Sequence, residues 1–131
     1  MRTIIASLLA AAALAAPAFA APRLTPEAEF AKLLAGRDAG KPTNCISSTR
    51  MQSAKIIDGT AIVYRDGRTL WVNRPRSGAD WLRDDDILVT HLFGSQLCSI
   101  DSVRLVDRTG GFQRGFVVLG DFIPYRLPPK G

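Results

Sequence analysis

The chain has 131 residues, of which 47% are hydrophobic and 22% charged, and a formal net charge of +5 at pH 7. This length suits one domain with a modest hydrophobic core. The mild basic excess favours contact with anionic surfaces but is too small for a dense nucleic-acid-binding patch, so we expect no specific nucleic-acid partner.

The N-terminal segment has the composition of a signal peptide. Arg2 supplies the positive start, residues 4–16 are apolar, and Ala18-Phe19-Ala20 forms a small-x-small cleavage pattern. The apolar run is shorter than the roughly 20 residues that a membrane span needs. We therefore expect a signal peptide over residues 1–20, cleaved after Ala20, with no membrane span. The remaining residues 21–131 are expected to form a single β-rich domain that is periplasmic or secreted.

A short amphipathic helix is predicted over about residues 26–35. Thr25 can cap its N-terminus, Pro26 suits the first helical position, and Gly36 ends it. Its apolar stripe consists of Leu24, Phe30, Leu33 and Leu34. We expect the helix to cover an open side of a sheet, with partner binding as the alternative.

The two cysteines, Cys45 and Cys98, permit one intramolecular pairing. An even count in an exported chain predicts a disulfide, and closing the loop of about 53 residues would stabilise the fold by about 4 kcal/mol in the chain-entropy treatment. Two buried thiols or a metal pair are the alternatives. A metal site is less favoured because the chain has no Cys-x-x-Cys and one histidine. We expect no metal and no cofactor.

Two Asp-Gly pairs, Asp58-Gly59 and Asp66-Gly67, separate runs that are rich in β-branched and aromatic residues. This pattern predicts two hairpins that join strands at about residues 50–57, 60–65 and 68–73. If Asp66 and Gly67 alone form the second turn, one face of the sheet carries Ala61, Val63, Leu70 and Val72. The other face carries Ile62, Tyr64, Thr69 and Trp71. Both faces are partly apolar, which predicts a closed barrel or cover on both sides.

The same register places Arg65 opposite Arg68, which is unfavourable for like charges. A neighbouring acid such as Asp66, or a one-residue bulge, would resolve the conflict. The alternative is an anion-binding edge formed by arginine side chains, whose guanidinium groups suit phosphate and carboxylate. The residues of this predicted edge are Arg65, Arg68, Arg74 and Arg76.

Three further strands are predicted at residues 87–93, 101–107 and 112–119. The continuous apolar run 87–93 is expected to be the most buried strand, which favours a packed rather than a catalytic His91. Asp84-Asp85-Asp86 lacks the spacing of a calcium loop and indicates a solvated loop. Gly120 and Pro124 interrupt the chain that follows, and residues 126–131 are expected to form an extended tail.

About six short strands, one helix and no βαβ alternation predict a mainly β fold. We expect a small antiparallel barrel or curled sheet with one short N-terminal helix, and an open α+β sheet is the alternative. The chain lacks Gly-x-Ser-x-Gly, a phosphate loop and a dinucleotide-binding glycine pattern. These absences favour a protein without catalytic activity.

Several segments resemble a group of small exported bacterial proteins that have no assigned function. These segments are residues 40–46, 57–60, 70–73, 97–101 and 119–125, and the resemblance spans about Gly36 to Tyr125. It implies a periplasmic or secreted bacterial protein with a β domain that contains Cys45 and Cys98. It transfers no catalytic or binding residue to this chain.

The leading functional hypothesis is an exported module that binds an anionic envelope component through the predicted arginine edge, with Tyr64 and Trp71 nearby. A small hydrolase centred on His91 is one alternative, which requires His91 to line a pocket with an acid or a serine in reach. The other is a subunit or inhibitor that docks on a protein partner through a sheet edge or the N-terminal helix.

Overall fold

The computed structural model describes residues 15–130, so most of the predicted signal peptide lies outside the described residues and its cleavage stays a prediction. The described part contains one α-helix, α1 (Pro26–Leu34), and a 3₁₀ turn at Ala79–Trp81. Its strands are β1 (Asp38–Ala39), β2 (Cys45–Ser47), β3 (Ser53–Ile57), β4 (Ala61–Asp66), β5 (Thr69–Asn73), β6 (Ile87–Thr90), β7 (Gln96–Cys98), β8 (Ser102–Val106), β9 (Gln113–Val118) and β10 (Phe122–Arg126). No helix in this part is long and apolar enough to cross a membrane.

The strands form three antiparallel sheets. Sheet A has the order β1-β10-β5-β4-β3, sheet B pairs β2 with β7, and sheet C has the order β6-β8-β9. The prediction of a mainly β fold with a short helix is confirmed. The finer prediction of about six strands in a barrel or one curled sheet does not hold, because the described strands divide among three sheets that do not close.

Both faces of sheet A are covered, as the alternating pattern predicted. One face packs against α1 and consists of Ile57, Ala61, Val63, Leu70 and Val72. The opposite face contributes residues such as Ile62 and Phe122 to a larger core, which it shares with Ile46 and Leu97 of sheet B and with Val103, Leu105 and Val117 of sheet C. Sheet A is therefore a central layer between a helix and two smaller sheets.

Helix α1 begins where its sequence predicted. The Thr25 side chain accepts a hydrogen bond from the Ala28 N–H at 3.2 Å, and no helical residue is fully buried. An ion pair of 2.7 Å between Lys55 and Glu29 links β3 to the helix. The helix contributes its half-buried Phe30, Leu33 and Leu34 to the core, so it covers the sheet without being enclosed.

The second hairpin differs from the predicted register by two residues. Its loop is Gly67-Arg68, and Arg65 lies opposite Leu70 rather than Arg68. Gly67 has a φ of +57° and no other residue type has a positive φ in the described part, which fits a type II′ turn with glycine first. The expected conflict between Arg65 and Arg68 is therefore absent, without a bulge or a neutralising acid. A shift of two residues keeps every side chain on its predicted face.

The run 87–93 is not the most buried strand. Strand β6 ends at Thr90 and forms an edge of sheet C, where Ile87 is 40% exposed. Leu88 packs against the core, whereas His91 and Phe93 lie beyond the strand and are exposed. A continuous apolar run predicts burial on both faces, but sheet C is covered by the core on one face only. The prediction of a packed His91 is therefore wrong.

Strand β10 was missed because it contains Pro124. The Pro124 carbonyl accepts a hydrogen bond of 2.7 Å from the Gly40 N–H. The nitrogen and carbonyl of one residue point to the same side of a strand, so the nitrogen of Pro124 faces β1 rather than β5. Proline thus removes no hydrogen bond between β10 and β5. The tail predicted over 126–131 starts one residue too early, since Arg126 is the last residue of β10 and residues 127–130 have no regular structure.

Cys45 and Cys98 lie opposite each other in sheet B and form the predicted disulfide. The two strands it joins have three residues each. Ile46 and Leu97, the neighbouring pair, are buried in the larger core. The disulfide therefore anchors a short two-stranded sheet to the rest of the fold.

Two polar contacts are buried among the apolar residues. Asn73 is completely buried, and its side-chain amide donates to the Gly120 carbonyl (2.7 Å) and accepts from the Gly120 N–H (2.9 Å). Arg114 of β9 forms a bidentate ion pair with Asp86 and also donates to the Trp81 carbonyl at 3.0 Å. The first contact joins β5 to the segment that leads into β10. The second contact joins β9 to the segment that precedes β6.

Candidate anion-binding site

The structure does not bring the four predicted arginines together. Arg65 lies on the exposed end of β4 and Arg68 in the following turn, whereas Arg74 and Arg76 follow the other end of β5. At about 3.3 Å per residue, the strand separates Arg68 from Arg74 by roughly 20 Å. A small ligand cannot contact Arg65 and Arg68 at one end of β5 and Arg74 and Arg76 at the other end at the same time. Anion binding by the predicted edge stays a prediction.

Arg74 and Arg76 are engaged in contacts within the protein. The guanidinium of Arg74 lies 4.6 Å from the ring centroid of Phe30, in the range of a cation–π contact with helix α1. Arg76 Nε donates to the Leu119 carbonyl at 2.9 Å, and its Nη2 donates to the Ser99 carbonyl. Arg76 thereby connects sheet C to the chain that follows the disulfide. Its position indicates a structural role.

A basic cavity lies at the opposite end of β5. We call it the basic pocket, and its volume is about 300 Å³. Three cationic side chains line it, Arg68, Arg126 and Lys130, together with Thr69 and the apolar residues Leu127 to Pro129. Of the four arginines predicted from the sequence, only Arg68 lines this pocket.

The lining of the basic pocket is positively charged, although Asp38 of β1 lies opposite Arg126 in the strand pairing. No carboxylate lines it, and within residues 15–130 none of its three cations forms an ion pair. The Arg126 guanidinium lies 5.6 Å from the ring centroid of Trp71, which supports it from one side. Three other cavities in the described part each include at least one Asp or Glu. The basic pocket is thus electrostatically suited to an anion.

Arg37 holds the walls of the basic pocket in position. Its Nη1 donates to the Arg68 carbonyl at 2.6 Å and to the Tyr125 carbonyl at 3.3 Å. These bonds connect the β4–β5 turn to β10, which carry the Arg68 and Arg126 side chains respectively. Arg37 is therefore a positioning residue, because it acts through the backbone of the two elements that form the pocket.

Tyr64 cannot belong to a ligand-binding surface. Its side chain is buried in the larger core, and its hydroxyl has no hydrogen-bond partner within the described residues. Burial raises the pKa of this phenol well above its ordinary value of 10.0, because the charged phenolate would lose its hydration. Trp71, its cross-strand neighbour, is partly buried and contacts the pocket through Arg126.

Replacing Tyr64 by Phe should reduce the loss of stability at alkaline pH. Above pH 10 the unfolded chain releases the phenolic proton while the folded chain retains it, so the free energy of unfolding falls by about 1.4 kcal/mol per pH unit from this group. The Tyr64→Phe variant lacks this contribution. At pH 7 it should be at least as stable as the wild type, because the unpaired buried hydroxyl is removed.

Urea unfolding of both proteins at pH 8 and at pH 11 measures this difference. We expect the stability gap between the variant and the wild type to widen in favour of Tyr64→Phe at pH 11. An equal gap at the two pH values would show that the Tyr64 hydroxyl is hydrated in the folded protein.

His91 has no catalytic surroundings in the structure. Its side chain is exposed and lies 6.3 Å from Phe93, measured between ring centroids. Within the described residues it forms no hydrogen bond or ion pair with an acid or a serine. It also lines none of the four cavities. The arrangement that a hydrolase centred on His91 requires is not formed.

The three adjacent residues Asp84, Asp85 and Asp86 contact different partners, and Asp86 is buried rather than solvated as predicted. Asp86 is paired with Arg114, and the backbone N–H of Asp84 donates to Asp58 Oδ1 at 2.6 Å. Across residues 15–130, no group of three or more His, Cys, Asp or Glu side chains is placed to hold a metal ion. This segment therefore forms a turn, and its carboxylates do not converge on a common metal site.

Sequence reasoning missed Arg126, Lys130 and Arg37 as members of the site. The aromatic residues before Arg126 are compatible with a strand, but Pro124 argued against a strand there. Once β10 is placed beside β5, Arg126 lies opposite Thr69 and next to the Gly67-Arg68 loop. The pairing of distant strands, rather than any local motif, creates the pocket.

No protein-family model, curated protein or solved structure matches this chain. The fold and the basic pocket are therefore the basis for a functional proposal.

Proposed function

We propose that the domain is a non-catalytic exported module that binds an anionic component of the cell envelope through the basic pocket. The observation that carries this proposal is the convergence of Arg68, Arg126 and Lys130 on one cavity without a carboxylate. Export by a cleaved signal peptide is supported by the composition of residues 1–20. The Cys45–Cys98 disulfide is in line with an oxidising compartment such as the periplasm or the exterior.

The pocket suits a ligand that carries a phosphate or carboxylate group on a small apolar body. Guanidinium groups bind such oxyanions through paired N–H donors, and Lys130 adds a mobile charge. Leu127 to Pro129 form the apolar wall. A cavity of about 300 Å³ is at the small end of ligand pockets. The lining contains no carboxylate, imidazole or thiol to transfer a proton or attack a substrate, which supports binding without catalysis.

Titration with two anionic probes tests the proposal and distinguishes a free phosphate anion from a lipid headgroup as the ligand. Inorganic pyrophosphate represents a free anion, and vesicles of phosphatidylglycerol in phosphatidylcholine represent a lipid headgroup. We expect the double variant Arg68→Ala/Arg126→Ala to weaken binding of at least one probe by about tenfold or more, which corresponds to about 1.4 kcal/mol. Raising the salt concentration should weaken binding by the wild type as well.

Arg65→Ala is the matched control, because Arg65 is an exposed arginine near the same turn but outside the pocket. It should bind both probes as the wild type does. An equal loss in Arg65→Ala and in the double variant would show a diffuse charge effect and contradict the pocket. The absence of binding to both probes at low salt would contradict anion binding altogether.

A further inference from the structure

The face of sheet C that points away from the core is mostly apolar. In the strand pairing, Val89, Arg104 and Phe116 lie side by side across the three strands. Residues two positions along each strand share this side, and we call the whole set the outer face. Its positions are Ile87, Val89, Ser102, Arg104, Val106, Gln113, Phe116 and Val118. Most of them are apolar, whereas the solvent side of an antiparallel sheet is ordinarily polar.

The apolar side chains of the outer face lie outside the two hydrophobic cores. Phe116 is 54% exposed and Ile87 is 40% exposed. The three valines of the face are half-buried and pack against neither core. By contrast, Leu105 and Val117, which alternate with them, are completely buried. Within the described residues, sheet C therefore has one covered face and one apolar face that is open to solvent.

A single charge, that of Arg104, occupies the centre of the outer face. Arg104 is the middle residue of β8, and β8 is the middle strand of sheet C. Its side chain is exposed, and within residues 15–130 it forms no ion pair. No carboxylate belongs to the outer face. The charge of Arg104 is therefore available to a binding partner.

The acids at the two ends of β8 do not compensate Arg104. Asp101 and Asp107 are each three residues away, which is about 10 Å along a strand. By alternation they also fall on the core side of β8. Asp101 accepts from the Cys98 N–H at 2.7 Å, and Asp107 accepts from the Thr109 N–H at 2.9 Å. Both carboxylates are thus engaged by the loops that flank the strand.

This arrangement resembles the centre of a protein interface. Arginine is enriched among the residues that dominate binding, which cluster near the middle of an interface within contacts that exclude water. A guanidinium that is covered in this way needs a compensating group, because an unpaired buried charge is costly. A carboxylate is the best match, since it accepts two parallel hydrogen bonds from arginine. The complementary surface therefore carries one carboxylate among apolar side chains.

A second copy of this chain and a lipid surface both fit the outer face poorly. Two outer faces that cover each other about a two-fold axis bring both Arg104 side chains into one apolar interface, because Arg104 is central. The face has no carboxylate to compensate either charge. On a membrane, apolar side chains insert and cations reach the headgroups from the margin. The outer face has the reverse order, with the cation in the middle.

Helix α1 is an example of how this fold covers an apolar sheet face. It packs Phe30 and Leu33 on one side of sheet A, and its Glu29 pairs with Lys55 of β3 at 2.7 Å. A helix satisfies its own backbone hydrogen bonds, so it needs no free sheet edge. Because α1 is engaged on its own sheet, a second copy has no other helix to offer from residues 15–130 beyond a 3₁₀ turn.

We propose that the outer face binds an amphipathic helix of a partner protein, whose apolar side carries one glutamate or aspartate that pairs with Arg104. The apolar side chains of the helix cover Phe116 and the valines of the face. The acidic side chain supplies the specificity, because the apolar contacts alone do not distinguish one amphipathic helix from another.

A double-mutant cycle with two helical peptides tests the proposal on the full chain. Both peptides are capped and carry leucine at helical spacing along one side. One has glutamate in the middle of that side, and the other has glutamine. We expect the wild type to bind the glutamate peptide about tenfold more tightly than the glutamine peptide, which corresponds to about 1.4 kcal/mol. The Arg104→Gln variant should bind the two peptides equally.

Two further variants separate the charge from the apolar contact. Arg65→Gln is the matched control, because Arg65 is also an exposed strand arginine but lies in sheet A. It should keep the tenfold preference. Phe116→Ser should weaken both peptides to a similar degree, because it removes apolar area and leaves the charge. A thermal melt of each variant establishes that it is folded, and the methyl NMR signals of the outer-face valines locate the peptide on the wild type.

Several results would overturn the proposal. These are no preference of the wild type for the glutamate peptide, an equal loss of preference in Arg65→Gln, or valine methyl signals that the peptide leaves unchanged. A doubled mass of the peptide-free protein that Phe116→Ser abolishes would identify a second copy as the occupant. Binding to phosphatidylcholine vesicles that Phe116→Ser abolishes would identify a lipid surface. These results are independent of the anion titration, because no residue of the outer face lines the basic pocket.

Discussion

Serine at both Cys45 and Cys98 should lower the free energy of unfolding by about 4 kcal/mol, because the disulfide closes a loop of 53 residues. The two strands that it joins have three residues each, and an isolated pair of such short strands is not stable in water. Since small domains have a stability of about 5–15 kcal/mol, the variant should lose between about a quarter and about four-fifths of that stability. Urea unfolding of the variant and of the wild type measures the difference.

The wild type treated with a reductant is the second arm of this experiment and should approach the stability of the double serine variant. The intact mass of the oxidised wild type should be lower than the mass of its reduced form by two hydrogens. A loss below about 1 kcal/mol, the scale of an average point mutation, would show that burial of Ile46 and Leu97 holds sheet B without the covalent bond.

Replacing Asn73 by Ala should cost about 3 kcal/mol of stability. The substitution removes both partners of Gly120, whose N–H and carbonyl then lie buried without hydrogen bonds. Each such orphaned group costs about 1–3 kcal/mol. No side chain at position 120 can compensate, because a Cβ there would collide with the Arg74 carbonyl. The midpoint of urea unfolding measures the change.

Asn44→Ala is the matched control for Asn73→Ala, since Asn44 is exposed and its side chain is not part of this contact. Its stability should stay within about 0.5 kcal/mol of the wild type, as for most surface substitutions. A third variant, Asn73→Asp, retains one acceptor but loses the donor to Gly120 and should also be destabilised. Wild-type stability in Asn73→Ala would mean that water replaces the amide.

The presence of apolar side chains on both faces of sheet A was predictable, because successive residues of a strand alternate between its two faces. Val63 and Leu70 were assigned to the same face, and this assignment is independent of a register shift by an even number of residues. The register itself was not predictable from the Asp66-Gly67 pair, since glycine occupies the second position of a type I′ turn or the first of a type II′ turn. Both turns fit the same local sequence.

The site was harder to predict than the fold, because its residues come from distant parts of the chain. Arg68 belongs to a turn, and Arg126 reaches it only through the pairing of β10 with β5. Arg76 also depends on distant parts of the chain, because its guanidinium donates to the carbonyls of Leu119 and Ser99. These contacts could not be predicted from the sequence near Arg76. Local charge patterns do not reveal which arginines are engaged by backbone groups.

Two margins of the sheets offer little backbone to an incoming strand. At the far margin of sheet A, β1 has only two residues, and Pro124 of the neighbouring β10 has no N–H to offer beyond it. At the far margin of sheet C, Ser77 bridges to Val118 and covers the end of β9. Edge-to-edge association of copies, and with it growth into fibres, is therefore less favourable at these two margins.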